Sequence, residues 1–197
     1  MESADQRSDG FAMAVVVEGG LACIALLLAW LFQVPLREMF PAIGAALVAS
    51  TTRGLLATLP MLAIFWVLVN SSWPLLRELR EQVQWLITEM FPAASIGQFA
   101  MVAVLAGVSE ELLFRGVLQA KLCLWTTPLL GLVITSILFG LAHALSKAYF
   151  IFAVIVGLFL GWLALHYNDL VAPMVAHGVY DFLALVYLSR TAATRAR

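Results

Sequence analysis

Six stretches of this chain are long and apolar enough to cross a bilayer, and no other feature limits its folding so tightly. They run over 11–32, 54–70, 95–120, 128–146, 148–167 and 170–189. A hydrocarbon core ~30 Å thick takes about 20 helical residues to cross. No water satisfies the backbone there, so a spanning chain is either helix or closed barrel. None of the stretches alternates as a barrel strand does. The chain therefore reads as all-α, a polytopic transmembrane helical bundle of six spans. Composition agrees: 63% of residues are hydrophobic and 12% are charged, where about 25% charged is usual for a soluble domain. So few charges cannot cover a soluble surface. This excludes a soluble globular domain, a disordered chain and a disulfide scaffold. The net charge of −1 offers no basic surface to nucleic acid. The first apolar run is too long for the h-region of a signal peptide and reads as a retained span.

Between the second and third spans the pattern changes. Leu75, Leu76, Leu79, Val83, Leu86, Ile87 and Met90 recur at helical spacing, with Arg77, Glu78, Arg80 and Glu81 between them. That predicts an amphipathic helix at the membrane interface. Gly157 and Gly161 form a GxxxG in the fifth span and predict close helix packing inside the bundle. Cys23 and Cys123 have no metal or redox spacing and read as small buried apolar residues. His166, beside Tyr167, Asn168 and Asp169, reads as interfacial. No repeat or linker divides the chain, so 1–197 is expected to form a single integral membrane domain.

The informative residues are the polar ones inside the spans. A charge in hydrocarbon costs about 2.5–3.5 kcal/mol on insertion scales, so it must be paired, wet or functional. They are Glu18, Glu110, Glu111, Arg115, His143, His177 and Asp181. On a helix, Glu111 and Arg115 lie about 40° apart and within ion-pair reach. Glu110 points roughly 100° away from Glu111 and has no partner within its motif, which leaves a carboxylate free for proton chemistry. His177 and Asp181 share a helix face, either as an oriented hydrogen-bonding pair or as two metal ligands. Glu18 is followed by Gly19 and Gly20, which could admit a neighbouring helix, and it reads as a structural hydrogen-bonding group. Measured from the side where the third span ends, Glu110 falls at about 15 Å, His143 at about 22 Å and His177 at about 10 Å. A single intramembrane site is compatible with that spread.

Three segments in order, Glu110-Glu111-…-Arg115, Phe139-…-His143 and His177-…-Asp181, resemble the EExxxR, FxxxH and HxxxN/D pattern of the CAAX-processing and bacteriocin-processing (CPBP, or Abi) intramembrane proteases. The motif-bearing core covers about 95–189. The resemblance implies intramembrane hydrolysis of peptide bonds. Glu110 would activate a water with help from His143, His177 and Asp181 would support the oxyanion, and Glu111–Arg115 would be a structural ion pair. It leaves the cofactor open between none and Zn²⁺. If a metal is used, Glu110, His143, His177 and Asp181 are its candidate ligands. The family's third motif often ends in Asn, which can donate to an oxyanion, whereas an ionised Asp181 cannot. Asp181 would then carry a proton or act by orienting His177. The implied partners are the bilayer and a membrane-embedded or lipid-modified peptide or protein. The implied location is a bacterial cytoplasmic membrane, as a multi-pass protein. Oligomeric state is left open.

Basic residues set an orientation. With the N-terminus cytoplasmic, that side holds Arg7, Arg77, Arg80, Lys147, Arg190, Arg195 and Arg197, and the other holds Arg37, Arg53 and Lys121. The positive-inside rule favours this arrangement. Two other functions use the same residues. One is a non-catalytic family member serving in bacteriocin self-immunity or as a membrane scaffold. The other is a proton- or ion-coupled transporter, against which stands the absence of an internal repeat.

Overall fold

A computed structural model describes residues 5–92 and 94–195. Every regular element among them is helical: α1 (Asp5–Leu31), a 3₁₀ turn (Leu36–Met39), α2 (Ala45–Asn70), α3 (Pro74–Met90), α4 (Ile96–Glu111), a π-helical segment (Leu112–Gln119), α5 (Ala120–Trp125), α6 (Pro128–Ala142), α7 (Lys147–Tyr167) and α8 (Val171–Arg195). The π-helical segment joins α4 to α5 without a break, so the third predicted span is one long helix. The chain is an integral membrane helical bundle.

The helix starts are written locally. Ser95 and Gln98 form a reciprocal capping box at α4. Thr127 accepts from Leu130 N just before Pro128 opens α6. Ser146 accepts from Tyr149 N at α7. Asn168, in the left-handed region at φ 51°, ends α7. Asp169 Oδ1 then accepts both from Ala172 N, at the start of α8, and from Ser50 Oγ of α2 at 2.6 Å. The 3₁₀ turn is tied to the same place, since Leu170 N donates to Met39 O.

Helix α8 packs against both α2 and α4, α6 packs against α7, and α1 leans on α4 and the π-helical segment. Close contact is made through glycine. A Cβ at Gly107 would lie 2.8 Å from Gly178 N, so only glycine allows α4 and α8 to approach this closely. Outward, Trp30, Trp66, Trp73 and Trp125 are exposed near helix ends, as aromatic belts are. The amphipathic α3 forms as predicted. Leu79 and Ile87 are buried against the bundle, and Arg77, Glu78 and Glu81 are exposed.

Five details differ from expectation. Among the described residues, four helices rather than six are long and apolar enough to span by length and composition: α1, α2, α7 and α8. The π-helical segment and three charged groups interrupt the apolar run of the third. Helix α6, at 15 residues, ends at Ala142 rather than 146. Helix α2 begins at Ala45 rather than 54, since Arg53 is accommodated inside it with its guanidinium over the Tyr167 ring at 4.7 Å. Gly19 and Gly20 admit no helix, because a Cβ at either would meet nothing within 4 Å. Cys23 is exposed on α1, not buried, and Cys123 is half-buried. Helix α1 touches the bundle along a narrow stripe, which leaves most of its apolar surface outward.

Candidate active site

The helix carrying Glu110 and Glu111 changes character immediately after them. From Leu112 to Gln119 it widens to π-helical geometry, a feature often found beside functional sites. Arg115 lies in that widened stretch, almost wholly buried, and its Nη1 donates to Glu111 Oε1 at 2.6 Å. Its Nη2 donates to Gly157 O at 3.1 Å, and four residues on, Gln119 Nε2 donates to Gly161 O at 2.9 Å. The GxxxG of α7 therefore packs inside the bundle, as expected. Its glycines expose two backbone carbonyls to the α4–α5 helix. The guanidinium also lies over the Phe139 ring at 4.5 Å.

The Glu111–Arg115 pair does not stand apart. Glu111 Oε1 also accepts from His177 Nδ1 at 2.8 Å. On its other side, His177 Nε2 faces Asp181 Oδ2 at 3.3 Å, the helical i,i+4 spacing read from sequence. A chain buried up to its half-buried end at Asp181 thus runs Arg115–Glu111–His177–Asp181 across two helices. Sequence periodicity shows its two intrahelical links and misses the link between helices.

Glu110 turns away from Glu111 and meets a different helix. Its Oε2 lies 3.5 Å from His143 Nε2 and accepts no hydrogen bond. His143 is the residue after α6, not an interior helical residue. The early end of α6 leaves its ring beside Glu110. Its Nδ1 lies 2.9 Å from Phe139 O. A carbonyl only accepts, so Nδ1 carries the proton and Nε2 is the nitrogen turned to Glu110. Phe139 is the hub of its motif, since its ring lies 4.4 Å from that of His143 and 5.0 Å from that of Phe114.

Glu110, His143, His177 and Asp181 line one cavity of about 350 Å³. Glu18 lines it as well, held through Oε2 by Ser109 Oγ at 2.5 Å. The hydrogen-bonding role expected of Glu18 thus has a partner, but its place on the cavity wall was not foreseen. The only sequence signal was a carboxylate inside an apolar span. The rest of the lining is mostly apolar, with Phe65 and Leu68 from α2 and Val83 and Ile87 from α3. All of these come from the half of the bundle that holds α3, the α6–α7 turn, the start of α1 and the end of α8. The opposite half contributes nothing.

The donors form two separate pairs, Glu110 with His143 and His177 with Asp181. Among the described residues, no three His, Cys, Asp or Glu side chains converge as the ligands of a zinc ion do. As arranged, the set does not fit a metal.

Fold and cluster together define the class: a helical membrane protein with carboxylates and imidazoles gathered at an internal cavity. Residues 92–183 match the family model described as type II CAAX prenyl endopeptidase Rce1-like, a segment that contains every motif residue named above. Through this segment, a little under half of its length, the chain resembles the CAAX intramembrane protease family. No curated protein and no solved structure matches it.

Proposed function

We propose that this chain is an intramembrane endopeptidase in which Glu110 and His143 activate the hydrolytic water. The observation that carries this reading is the unpartnered Glu110 Oε2 facing His143 Nε2 across 3.5 Å at a cavity wall. With Nδ1 protonated, both facing atoms are acceptors. Such a pair is complementary to one water that donates to each. The water oxygen attacks the scissile carbonyl carbon and its proton passes to Glu110. The same proton then goes to the leaving amine as the C–N bond breaks, giving a carboxylate and an amine. His177, held between Glu111 and Asp181, supports the oxyanion through Nε2–H when the ring carries both protons. Asp181 faces that nitrogen, so in this scheme it orients and charges His177 rather than contacting the oxyanion itself.

The substrate is a membrane-embedded or lipid-modified peptide, and the family's description favours a prenylated one. The apolar lining of the cavity suits a greasy chain beside the peptide. Helices α1 and α2 lie outside the matched segment but line the cavity, so the functional unit extends beyond 92–183. The excess of Arg and Lys on the side of α3 makes the cavity-bearing half cytoplasmic, in a bacterial cytoplasmic membrane.

The test compares membrane peptides by proteomics in cells carrying the wild type, Glu110→Gln or His143→Ala. Substrates accumulate uncut in both variants if the reading is right. If both variants cleave at the wild-type rate while folded, it is wrong, and a non-catalytic immunity or scaffold role takes its place.

A further inference from the structure

Glu18 is the only charged residue between Gly10 and Leu31, on a helix whose surface is mostly exposed and apolar. A carboxylate in that setting calls for a partner. Among the described residues its hydrogen bond comes from Ser109 Oγ, a neutral hydroxyl, and no Lys or Arg pairs with it. It lines the cavity together with two further carboxylates, Glu110 and Asp181. No Lys or Arg lines that cavity, and Arg115 is spent on Glu111. The two imidazoles are committed too, His177 to Glu111 and Asp181, and His143 through Nδ1 to Phe139 O. Glu110, 8% exposed, still has Oε2 without a hydrogen bond. The chamber thus holds acceptors in excess of donors, in surroundings where charge attraction is weakly screened. The one cation the protein can supply there, a doubly protonated His177, is held by Glu111 and Asp181, and a bound molecule can supply another.

We infer that Glu18 is a specificity-determining residue that pairs with a basic side chain of the substrate, so the chain prefers membrane peptides carrying Lys or Arg beside the segment held in the cavity. This rests on the cavity being the substrate site, as proposed above. It adds a selection for charge that comes from α1, outside the family-matched segment 92–183. Ser109 holds one oxygen of Glu18 and so presents the carboxylate from a fixed position, next in sequence to Glu110.

The experiment measures binding, so its outcome is separate from whether the chain cleaves anything. Two fluorescent peptides are made, each with about 20 apolar residues. They differ only in a short polar tail that carries two lysines or two glutamines. Each is titrated onto full-length Glu110→Gln protein in phosphatidylcholine nanodiscs, whose lipids have no net charge. The lysine peptide is expected to bind about tenfold more tightly. Adding Glu18→Gln, which can still accept from Ser109, should abolish that difference, and adding Glu18→Asp should retain most of it. Equal binding of both peptides to the Glu110→Gln protein, or a lysine preference that survives Glu18→Gln, overturns the inference. Cleavage by the wild type that persists in Glu110→Gln would instead overturn the catalytic reading and leave this binding result standing.

Discussion

Glu111 and His177, 66 residues apart, are joined by a 2.8 Å contact through the same carboxylate oxygen that receives Arg115. One oxygen thus links the helix that carries the EExxxR motif to the helix that carries HxxxD. A pair that reads from sequence as self-contained is the hinge between two motifs.

That sharing makes Glu111 and Arg115 unequal to an ordinary surface pair. Both are almost fully buried. Removing one partner strands the other charge, at a cost of about 3–5 kcal/mol, whereas replacing both with apolar residues costs less. Arg115→Ala and Glu111→Ala should each markedly lower the unfolding temperature in detergent. The double replacement Glu111→Leu/Arg115→Met should recover part of that loss. Because His177 loses its partner too, the double variant should fold and still fail to cleave. Thermal unfolding followed by circular dichroism, alongside a cleavage assay, checks both parts.

General-base catalysis is typically worth about 10²–10⁴-fold in rate. Glu110→Gln should lower turnover by that much with little change in unfolding temperature, since Glu110 Oε2 holds no hydrogen bond to lose. His143→Ala should fall in the same range. Single-turnover kinetics on a substrate found by proteomics gives the number.

Glycine positions separate packing from lipid exposure. A Cβ at Gly161 would lie 2.4 Å from Gln119 Oε1 and 2.6 Å from Leu132 Cδ1. Gly161→Ala should destabilise by about 1–3 kcal/mol through overpacking. Gly107→Ala should cost more, because its new methyl would meet the backbone of α8, which cannot swing aside. Gly20→Ala should be neutral or slightly stabilising, since it gains helix propensity in open space. Melting temperatures of the three variants rank them.

The donor pairing also predicts a response to metal removal. With Glu110–His143 and His177–Asp181 standing as two separate pairs, cleavage should persist after dialysis against a strong chelator. Purified protein should carry well under one equivalent of zinc. Elemental analysis and the cleavage assay measure this, and activity that is lost to the chelator and restored by zinc would contradict the metal-free scheme.

What the chain reveals about itself divides along the helix axis. The spacing of Glu111 to Arg115 and of His177 to Asp181 is a property of one helix, and both contacts form as that spacing requires. The α3 stripe from Leu75 to Met90 is likewise periodic and legible. Contacts between helices carry no such period. The Glu110–His143 approach depends on where α6 stops, and nothing in Ala142-His143-Ala144 marks that end before the capping Ser146 comes into view. The π-helical widening after Glu111 is similarly silent, since Leu112–Gln119 carries no residue pattern that specifies it beyond a single Gly116. Ser109 and Glu18 are 91 residues apart, and only the folded bundle brings them together.

The cavity draws on one half of the bundle alone, and this divides the bilayer into two unequal territories. The leaflet on the side of α3 is the one from which a greasy peptide can be drawn in sideways. On the other side Asp169 and the 3₁₀ turn tie the helices together around a separate cavity, to which none of the carboxylates and imidazoles of the candidate site contributes. On the proposed reading, both fragments leave by the side on which the substrate arrived, and a sequence anchored only in the far leaflet is never inspected.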